Sequence, residues 1–228
     1  MLKKSNLIVI EGLDGSGKAT QTRFLCEALK ADGYNVKLVS LPDYESASSW
    51  PARMYLQGSL CHKPEDMNVY AVSSFFAVDR FINFHLKWKR EYESGRFIIL
   101  CDRYVTSNTI YQLAKLPRSG WKDFVSWLGE YEYARLALPQ PDAVIYLDVP
   151  VEVSQNLINN RGKVKDLHEL GESYLKKCRE AALYAVHEFD WNLIDCKNSY
   201  GAIKPKETIT EELKRVVYKI LDKLNVKF

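Results

Sequence analysis

A glycine-rich segment near the start of the chain constrains its fold more than any other part of the sequence. Residues 8–20, IVIEGLDGSGKAT, carry three glycines between a short apolar run and a stretch with helical spacing. Glycines let the backbone curl so that successive N–H groups face one anion, and the N-terminus of the following helix adds its positive dipole end. The segment fits GxxxxGK, in which Lys18 supplies a point charge for the β- and γ-phosphates. We therefore expect a buried strand, a phosphate cradle and a helix, in this order.

The cradle departs from the usual pattern at one position. The Ser or Thr that normally follows the lysine, and whose hydroxyl ligates magnesium, is Ala19 here. The hydroxyl of Thr20 is a poor substitute, because the next residue of a helix points about 100° away. We expect Mg2+ to be held mainly by ATP oxygens, water and a carboxylate such as Asp102, and to bind more weakly. The residues expected to contact ATP are Gly12, Gly15, Ser16, Gly17, Lys18, Ala19 and Thr20.

Short apolar runs rich in branched residues alternate with helical stretches along the chain. This alternation is typical of an α/β fold with a parallel sheet, because parallel neighbours need crossover connections. We predict a P-loop NTPase fold with a doubly wound five-stranded parallel sheet and helices on both faces, in one domain spanning 1–228. The predicted strands lie at 7–10, 36–41, 97–101, 143–149 and 191–195. The predicted helices lie at 17–31, 50–57, 66–93, 120–137, 151–160, 169–189 and 206–224.

The composition argues against several classes of protein. A formal net charge of +3 is too small to predict a nucleic-acid or membrane partner. No apolar run approaches the roughly 20 residues that a membrane-spanning helix needs, so we expect a cytoplasmic protein. The five cysteines lie singly, without CxxC or Cys/His clusters, so we expect neither a zinc site nor disulfides.

A second polar cluster follows the third predicted strand. Asp102 and Arg103 come directly after FIILC, at the carboxyl end of a strand, where α/β proteins bind their ligands. The Asp102 carboxylate can orient magnesium or its water shell there, and the Arg103 guanidinium can clamp a transferring phosphoryl group with two hydrogen bonds. The alternative is an ion pair that only stabilises the end of the strand.

Several segments together resemble the thymidylate kinase family. In that family's order and approximate spacing they are EGLDGSGK at 11–18, FAVDR at 76–80, DRYVTSN at 102–108 with Tyr111 and Gln112 after it, and PDAVIYLDVPVEV at 141–153. The glycine-rich segment alone marks a superfamily, and its combination with DRY is the specific part. The resemblance implies transfer of the ATP γ-phosphoryl group to dTMP with Mg2+, and a homodimer.

The resemblance also implies an acceptor site. Phe76 matches the family's aromatic residue that stacks on thymine, and Arg80 matches the arginine that hydrogen-bonds the base. The two residues lie one helical turn apart, so both can project toward one planar base. An arginine donor favours a carbonyl over an amino group, although Phe76 as an ordinary core residue is the alternative. The other residues assigned to the acceptor are Asp14, which meets the sugar hydroxyl, Arg103, Ser107, Tyr111 and Gln112.

A polar, basic segment at 159–171 matches the family's lid. Closure would bring cations over the phosphates and exclude water, which prevents ATP hydrolysis. Of Arg161, Lys163 and Lys165 we favour Arg161, since a guanidinium fork suits the equatorial oxygens of the phosphoryl group. The alternative is a solvated basic loop. The residues expected to carry catalysis are Asp14, Lys18, Arg103 and Arg161.

The expected contact to the acceptor phosphate is altered in this chain. After the second strand many members of the family carry an arginine, whereas Tyr44 stands near that position and the first arginine downstream is Arg53. Arg53, or the hydroxyls of Tyr44 and Ser46, can take over this contact. Two alternatives to a dTMP kinase stay open. One is a deoxynucleoside kinase or a monophosphate kinase for another base, and the other is a nucleotide-binding module without catalysis.

Overall fold

A five-stranded parallel sheet forms the centre of the protein, for which a computed structural model describes residues 4–160, 166–169 and 171–226. The strand order is β2-β3-β1-β4-β5, and all four pairs of neighbours are parallel. The predicted doubly wound sheet is therefore confirmed, with strand ends that differ by one or two residues. The strands are β1 Asn6–Gly12, β2 Val36–Ser40, β3 Ile98–Asp102, β4 Ala143–Asp148 and β5 Asn192–Asp195.

The strand order brings the two predicted polar clusters together. The chain adds β2 and β3 on one side of β1, and then β4 and β5 on the other. In the register of β1 with β3, Ile10 pairs with Asp102, and the backbone N–H of Arg103 donates to the carbonyl of Ile10 at 3.1 Å. The glycine-rich segment after β1 and the Asp102–Arg103 pair after β3 thus leave the sheet side by side, at the switch point where such sheets bind ligands.

Helices cover both faces of the sheet. Alternate residues of β1 pack into different cores, with Leu7 and Val9 on one face and Ile8 and Ile10 on the other, and all four are 0% exposed. The helices are α1 Lys18–Ala31, α2 Trp50–Leu56, α3 Val69–Asn83, α4 Lys89–Glu93, α5 Thr106–Tyr111, α6 Trp121–Gly129, α7 Val151–Asn160, α8 Glu172–Glu188 and α9 Lys206–Lys223. Residues of α3, α5, α6 and α8 fill the core that contains Leu7, and residues of α1 and α9 fill the core that contains Ile8.

Three helical regions differ from the prediction. The stretch predicted at 66–93 consists of α3, a π-helical turn Phe84–Trp88 and α4, and a second π-helical turn, Glu130–Arg135, follows α6. Helix α5 was not predicted, because TSNTIY is too short and too polar to show helical periodicity. It matters for the site, since it carries Ser107 and Tyr111.

Two further observations bear on the class of protein. Within the described ranges, every helix falls short of the length or the apolarity that a bilayer span requires. All five cysteines are unbonded thiols, and four of them are buried.

Candidate active site

The glycine-rich segment turns sharply between β1 and α1. Gly15 and Gly17 have φ angles of +75° and +77°, a left-handed conformation that residues with a Cβ rarely adopt. Gly12 allows a close approach instead, because a Cβ there would lie 2.6 Å from the Oγ of Ser16. Helix α1 begins at Lys18 directly after this turn, so its first free N–H groups point out of the helix toward the turn. The local sequence therefore builds an anion-binding helix N-terminus.

Lys18 is buried between charges of both signs. Its Nζ lies 3.4 Å from the carbonyl oxygen of Leu13 and 3.9 Å from Oδ1 of Asp14. Burial lowers the pKa of Lys18, Arg103 lowers it further, and the carboxylates of Asp14 and Asp102 oppose both effects. An anion bound between Lys18 and Arg103 would reduce the repulsion between these two cations.

Arg103 forms an ion pair with Asp14 at the end of β3. It is one of the few residues other than glycine with a positive φ, +67°. Its Nη2 donates to Oδ1 of Asp14 and, at 3.2 Å, to the hydroxyl oxygen of Tyr111. The Tyr111 hydroxyl in turn donates to Oδ2 of Asp14 at 2.8 Å. Burial alone would raise the pKa of the Asp14 carboxyl, but Arg103 and Lys18 together hold it well below its usual range.

A buried carboxylate that the motifs did not single out connects the two halves of this site. Glu11 is 0% exposed and accepts hydrogen bonds from Thr106 Oγ1 at 2.7 Å, from Ser107 Oγ at 2.9 Å and from the backbone N–H of Tyr104 at 3.3 Å. Burial raises its pKa, and Arg103 opposes this. Ser107, predicted to bind the acceptor, therefore also fixes α5 to β1. The sequence signal that could have identified Glu11 is a single charge directly after the apolar run LIVI.

A cavity beside this cluster has an aromatic, amide-rich end. Phe76 and Arg80 line it from α3, and Asn108 and Gln112 line it from α5 and the residue that follows. Phe76 is half-buried and meets the ring of Tyr55 edge-on, with centroids 6.3 Å apart. Gln112 is 0% exposed, and neither atom of its amide has a hydrogen-bond partner among the described residues. An unpartnered buried amide at a cavity wall is a group that a ligand can satisfy.

Arg80 is held by a carboxylate that lies behind the cavity wall. Its Nε and Nη2 donate to the two carboxylate oxygens of Glu132 at 2.6 and 2.5 Å. Nη1 approaches the carbonyl oxygen of Tyr104 at 3.4 Å. Burial alone would lower the pKa of Arg80, but Glu132 reverses this and raises it. The guanidinium is thus charged, paired and fixed before any ligand binds.

A short turn at 166–169 lines the cavity with Asp166 and His168. The ring of His168 stacks on Tyr111, with centroids 4.7 Å apart and planes 11° apart, and its Nε2 lies 3.0 Å from the hydroxyl of Tyr55. Burial lowers the pKa of His168 to about 3. Burial, together with the nearby Asp14, raises the pKa of Asp166 to about 7. Arg161, Lys163 and Lys165, predicted for the lid, lie outside the described residues.

The other end of the site is an open cleft with several polar atoms that lack partners. Lys18, Ala19, Asp102 and Arg103 line it, and Arg53 faces them from α2. Among the described residues, Oδ1 of Asp102 and Nε of Arg53 are buried and have no hydrogen-bond partner. Oγ of Ser16, in the glycine-rich segment, is also buried without a hydrogen-bond partner among the described residues. Ala19 is exposed at this cleft, whereas Thr20 is not part of its lining. Charged groups of this kind suit a polyphosphate and its metal ion.

Fold and site together define a class of protein. A glycine-rich turn between the central strand and its helix, beside an aspartate and an arginine at the end of the neighbouring strand, is the arrangement of a P-loop nucleotide-binding protein. The sequence model of one family, described as thymidylate kinase, matches residues 10–206. The chain therefore belongs to the thymidylate kinase family, as its motifs predicted.

Individual relatives agree with this assignment. A thymidylate kinase of Mycobacterium tuberculosis is 33% identical over 185 residues, which cover 78% of this chain and 84% of that protein. A probable thymidylate kinase of Thermococcus onnurineus is 34% identical over 191 residues, covering 80% and 84%. Among solved structures, a thymidylate kinase from Candida albicans has the same fold, with a TM-score of 0.67 at 20% identity over 95% of this chain and 92% of that chain.

Proposed function

We propose that the protein transfers the γ-phosphoryl group of ATP to dTMP, giving dTDP and ADP. The observation that carries this proposal is the contrast between the two ends of the site. Phe76 and Arg80 lie at one end, and Lys18 and Arg103 lie at the other, beside the glycine-rich helix N-terminus. A nucleoside monophosphate has the same polarity, with a planar neutral base at one end and an anion at the other. The anionic end of the acceptor would then meet the ATP phosphates.

The chemistry needs positioning and charge neutralisation more than covalent help from the protein. An oxygen of the acceptor phosphate attacks the γ-phosphorus, the bond from this phosphorus to the β–γ bridging oxygen breaks, and ADP leaves with that oxygen. Lys18 and Arg103 neutralise the charge on the phosphates, and Asp14 positions the acceptor by its sugar hydroxyl. Arg161 would add a guanidinium when the proposed lid at 159–171 closes. The whole chain would act as one domain.

Base recognition would use the closed end of the cavity. Phe76 supplies an aromatic face for stacking, which is worth about 1–3 kcal/mol per base and is independent of base identity. The N–H groups of Arg80 and the unpartnered amide of Gln112 supply hydrogen bonds to the edge of the base. Tyr111 and Ser107 also line the cavity, and the Tyr111 hydroxyl contacts both Arg103 and Asp14. Both residues would therefore contact the sugar and its neighbouring phosphate.

Magnesium would be held mainly by ATP oxygens and water, with Asp102 as the carboxylate ligand from the protein. Its Oδ1 is buried without a partner among the described residues, in the cleft that Lys18 and Arg103 also line. A carboxylate oxygen is a suitable ligand for this hard cation. Since Ala19 offers no hydroxyl, the other ligands would be phosphate oxygens and water. The ion would supply charge neutralisation at the transferred group.

We also propose that the protein is a cytoplasmic homodimer. The outer face of α3 and the π-helical turn after it exposes Val78, Phe81 and Leu86, which are 43%, 36% and 77% exposed. A continuous apolar face of this kind suits contact with a second copy. A location in a reducing compartment fits the five unbonded thiols.

An ADP-release assay with a panel of acceptors tests the proposed function. With ATP and magnesium, we expect dTMP to give the highest kcat/KM among the nucleoside monophosphates, and deoxythymidine to give no turnover. Activity on deoxythymidine or dGMP without activity on dTMP would favour the alternative kinases. Tight ATP binding without ADP release for any acceptor, at any magnesium concentration, would favour a nucleotide-binding module.

A further inference from the structure

A buried carboxylate stands behind the base end of the cavity. Glu132 lies in the π-helical turn after α6 and is 0% exposed. It continues the inward face of α6, on which Trp121, Phe124 and Leu128 are buried. A carboxylate on a helix face whose other side chains are apolar needs compensation, because an isolated buried charge is costly. The groups that Glu132 contacts supply this compensation.

Glu132 fixes one edge of the Arg80 guanidinium. The fork from Nε and Nη2 to the two carboxylate oxygens, at 2.6 and 2.5 Å, uses two of the five N–H groups of arginine. The remaining N–H groups are all on the terminal nitrogens, and one of them faces the carbonyl of Tyr104 at 3.4 Å. Arg80 lines the cavity and Glu132 does not. The carboxylate therefore determines which edge of the guanidinium a ligand meets.

The same carboxylate also holds a second cavity-lining side chain. Nδ2 of Asn108 donates to Oε1 of Glu132 at 3.3 Å, and Asn108 lines the cavity from α5. Because an amide has its donor and acceptor on opposite branches, a bond from Nδ2 to Glu132 leaves Oδ1 of Asn108 to face elsewhere. One side chain from the α6 region thus orients polar groups of both α3 and α5.

The pairing also cancels charge at this end of the cavity. The positive charge of Arg80 is balanced by a carboxylate outside the cavity wall, whereas at the other end two cations, Lys18 and Arg103, share the one carboxylate of Asp14. A paired guanidinium still donates hydrogen bonds, but it no longer attracts an anion strongly. A neutral base that offers a carbonyl oxygen is suited to such a donor, and a base that offers an amino group there is not.

We propose that Glu132 is a positioning residue for the acceptor, which sets the preference for a base with a carbonyl group at Arg80 over a base with an amino group. It does so by fixing the edge of Arg80 and the amide of Asn108 that face the cavity. This inference rests on the proposed transfer to dTMP, and it adds a residue that acts through Arg80 without contacting the nucleotide.

Two conservative substitutions test this role. Glu132→Gln keeps the shape and loses the charge, and Glu132→Asp keeps the charge and shortens the side chain. Steady-state kinetics with dTMP, dUMP and dCMP give KM, kcat and base preference, and calorimetric titration gives binding of the same nucleotides. The matched control is Glu130→Gln, two residues away on the same turn, where the carboxylate pairs with Arg135 and is 60% exposed.

For Glu132→Gln we expect the KM for dTMP to rise about tenfold, the size expected for a weakened hydrogen bond to a charged group. The KM for ATP should not change. The ratio of kcat/KM for dTMP over dCMP should fall by a similar factor, while the ratio for dTMP over dUMP should stay constant, because thymine and uracil have the same carbonyl groups. In an Arg80→Gln background, Glu132→Gln should not alter base preference further.

Several results would overturn this role. A folded Glu132→Gln protein with unchanged KM for dTMP and an unchanged dTMP/dCMP ratio would do so, even if its melting temperature fell, since a purely structural role predicts that outcome. If neither Glu132→Gln nor Glu132→Asp folded, the Arg80–Glu132 pair would serve stability alone, and the proposed role would also be overturned. A wild-type protein inactive on dTMP would contradict the proposed transfer instead, and the calorimetric dTMP/dCMP comparison would still decide the role of Glu132.

Discussion

The two guanidinium–carboxylate pairs at the two ends of the site differ in depth and in what lies around them. The side chains of Arg80 and Glu132 are 4% and 0% exposed, and only Arg80 lines the cavity. The side chains of Arg103 and Asp14 are 15% and 17% exposed, and both line it. An arriving phosphate therefore competes with Asp14 for Arg103, whereas nothing that enters the cavity competes with Glu132 for Arg80.

This difference explains how similar pairs can have different uses. At the base end the pair is fixed, so that the donor is in place before the ligand arrives and carries no uncompensated charge. In the proposed transfer, the pair at the phosphate end would exchange partners, so that the cation is stabilised in the free protein and becomes available to the acceptor. Four predictions test this difference between the two pairs and the site around them.

The largest expected effect is on turnover at the phosphate end. Arg103→Gln should lower kcat by about 1,000-fold, because an arginine that stabilises a transferring phosphoryl group contributes on that scale. The free energy of unfolding should also fall, by about 1.5–3 kcal/mol, since the mutation removes a hydrogen-bonded ion pair whose side chains are mostly buried. ADP-release kinetics and urea unfolding measure the two quantities. Arg96→Gln, at an exposed arginine, is the control, and a kcat within tenfold of wild type would contradict the role of Arg103.

The second prediction compares the stability of the two pairs. Glu132→Ala leaves a buried guanidinium without its partner and should lower the free energy of unfolding by about 3–5 kcal/mol. Asp14→Ala should lower it by less, about 1.5–3 kcal/mol, because Arg103 keeps partial access to water and to the cavity. Urea unfolding at one fixed protein concentration measures both. Equal losses in the free energy of unfolding would mean that the difference in burial between the two pairs does not determine their contributions to stability.

The third prediction concerns His168, in the turn at 166–169 that lines the cavity together with Arg103 and Asp14. The folded pKa of His168 is about 3, so the folded state keeps this imidazole neutral. The unfolded chain, with a pKa near 6.5, takes up a proton as the pH falls, so stability is lost on the acid side. Between pH 7.5 and pH 5 this loss should be about 2 kcal/mol. His168→Gln should remove it from the pH dependence of unfolding.

A comparison of slopes isolates His168 from its neighbour. The raised pKa of Asp166, about 7, has the opposite sign, because the folded state keeps a proton that the unfolded chain loses as the pH rises. The difference between wild type and His168→Gln cancels this contribution. His62→Gln, at an exposed histidine, should leave the slope unchanged. A slope unaffected by His168→Gln would show that this imidazole is not excluded from protonation.

The smallest expected effect is at Ala19, in the cleft with Asp102. If the missing hydroxyl weakens magnesium binding, Ala19→Ser should lower the magnesium concentration for half-maximal rate about fivefold, as expected for one added contact of ~1 kcal/mol. A magnesium titration at saturating ATP measures this. Thr20→Ser, outside the cleft lining, should have no effect. An unchanged magnesium dependence would mean that other ligands already suffice.

The sheet and the polar clusters could be predicted because their signals are local. The branched runs mark buried strands, and glycines followed by a lysine mark the turn before α1. Asp102 and Arg103 could be placed near that turn because strand alternation implies a parallel sheet. The order of the strands was not predicted beyond a doubly wound sheet, and the structure supplies it.

The contacts that organise the site could not be predicted, because they join distant parts of the chain. Arg80 and Glu132 are 52 residues apart, and Glu11 binds a serine 96 residues away. Glu132 is part of no spacing pattern, and Glu11, although it begins the segment EGLDGSGK, had no role assigned to it. Helix α5, which carries Tyr111, has too few residues for a periodic signal. For Glu11, the sequence does contain a carboxylate directly after an apolar run. This indicates that the carboxylate is buried with a partner, but it does not identify the partner.

A structure of the protein with dTMP bound would show whether the Arg80–Glu132 pair stays intact while the Arg103–Asp14 pair opens. We expect the thymine ring on Phe76, a base carbonyl oxygen within hydrogen-bonding distance of Arg80, and Arg80 still paired with Glu132. We also expect the acceptor phosphate on Arg103, with the guanidinium moved off Asp14. A phosphate bound at Arg80, or dTMP bound with the Arg103–Asp14 pair intact and no contact to either arginine, would contradict these expectations.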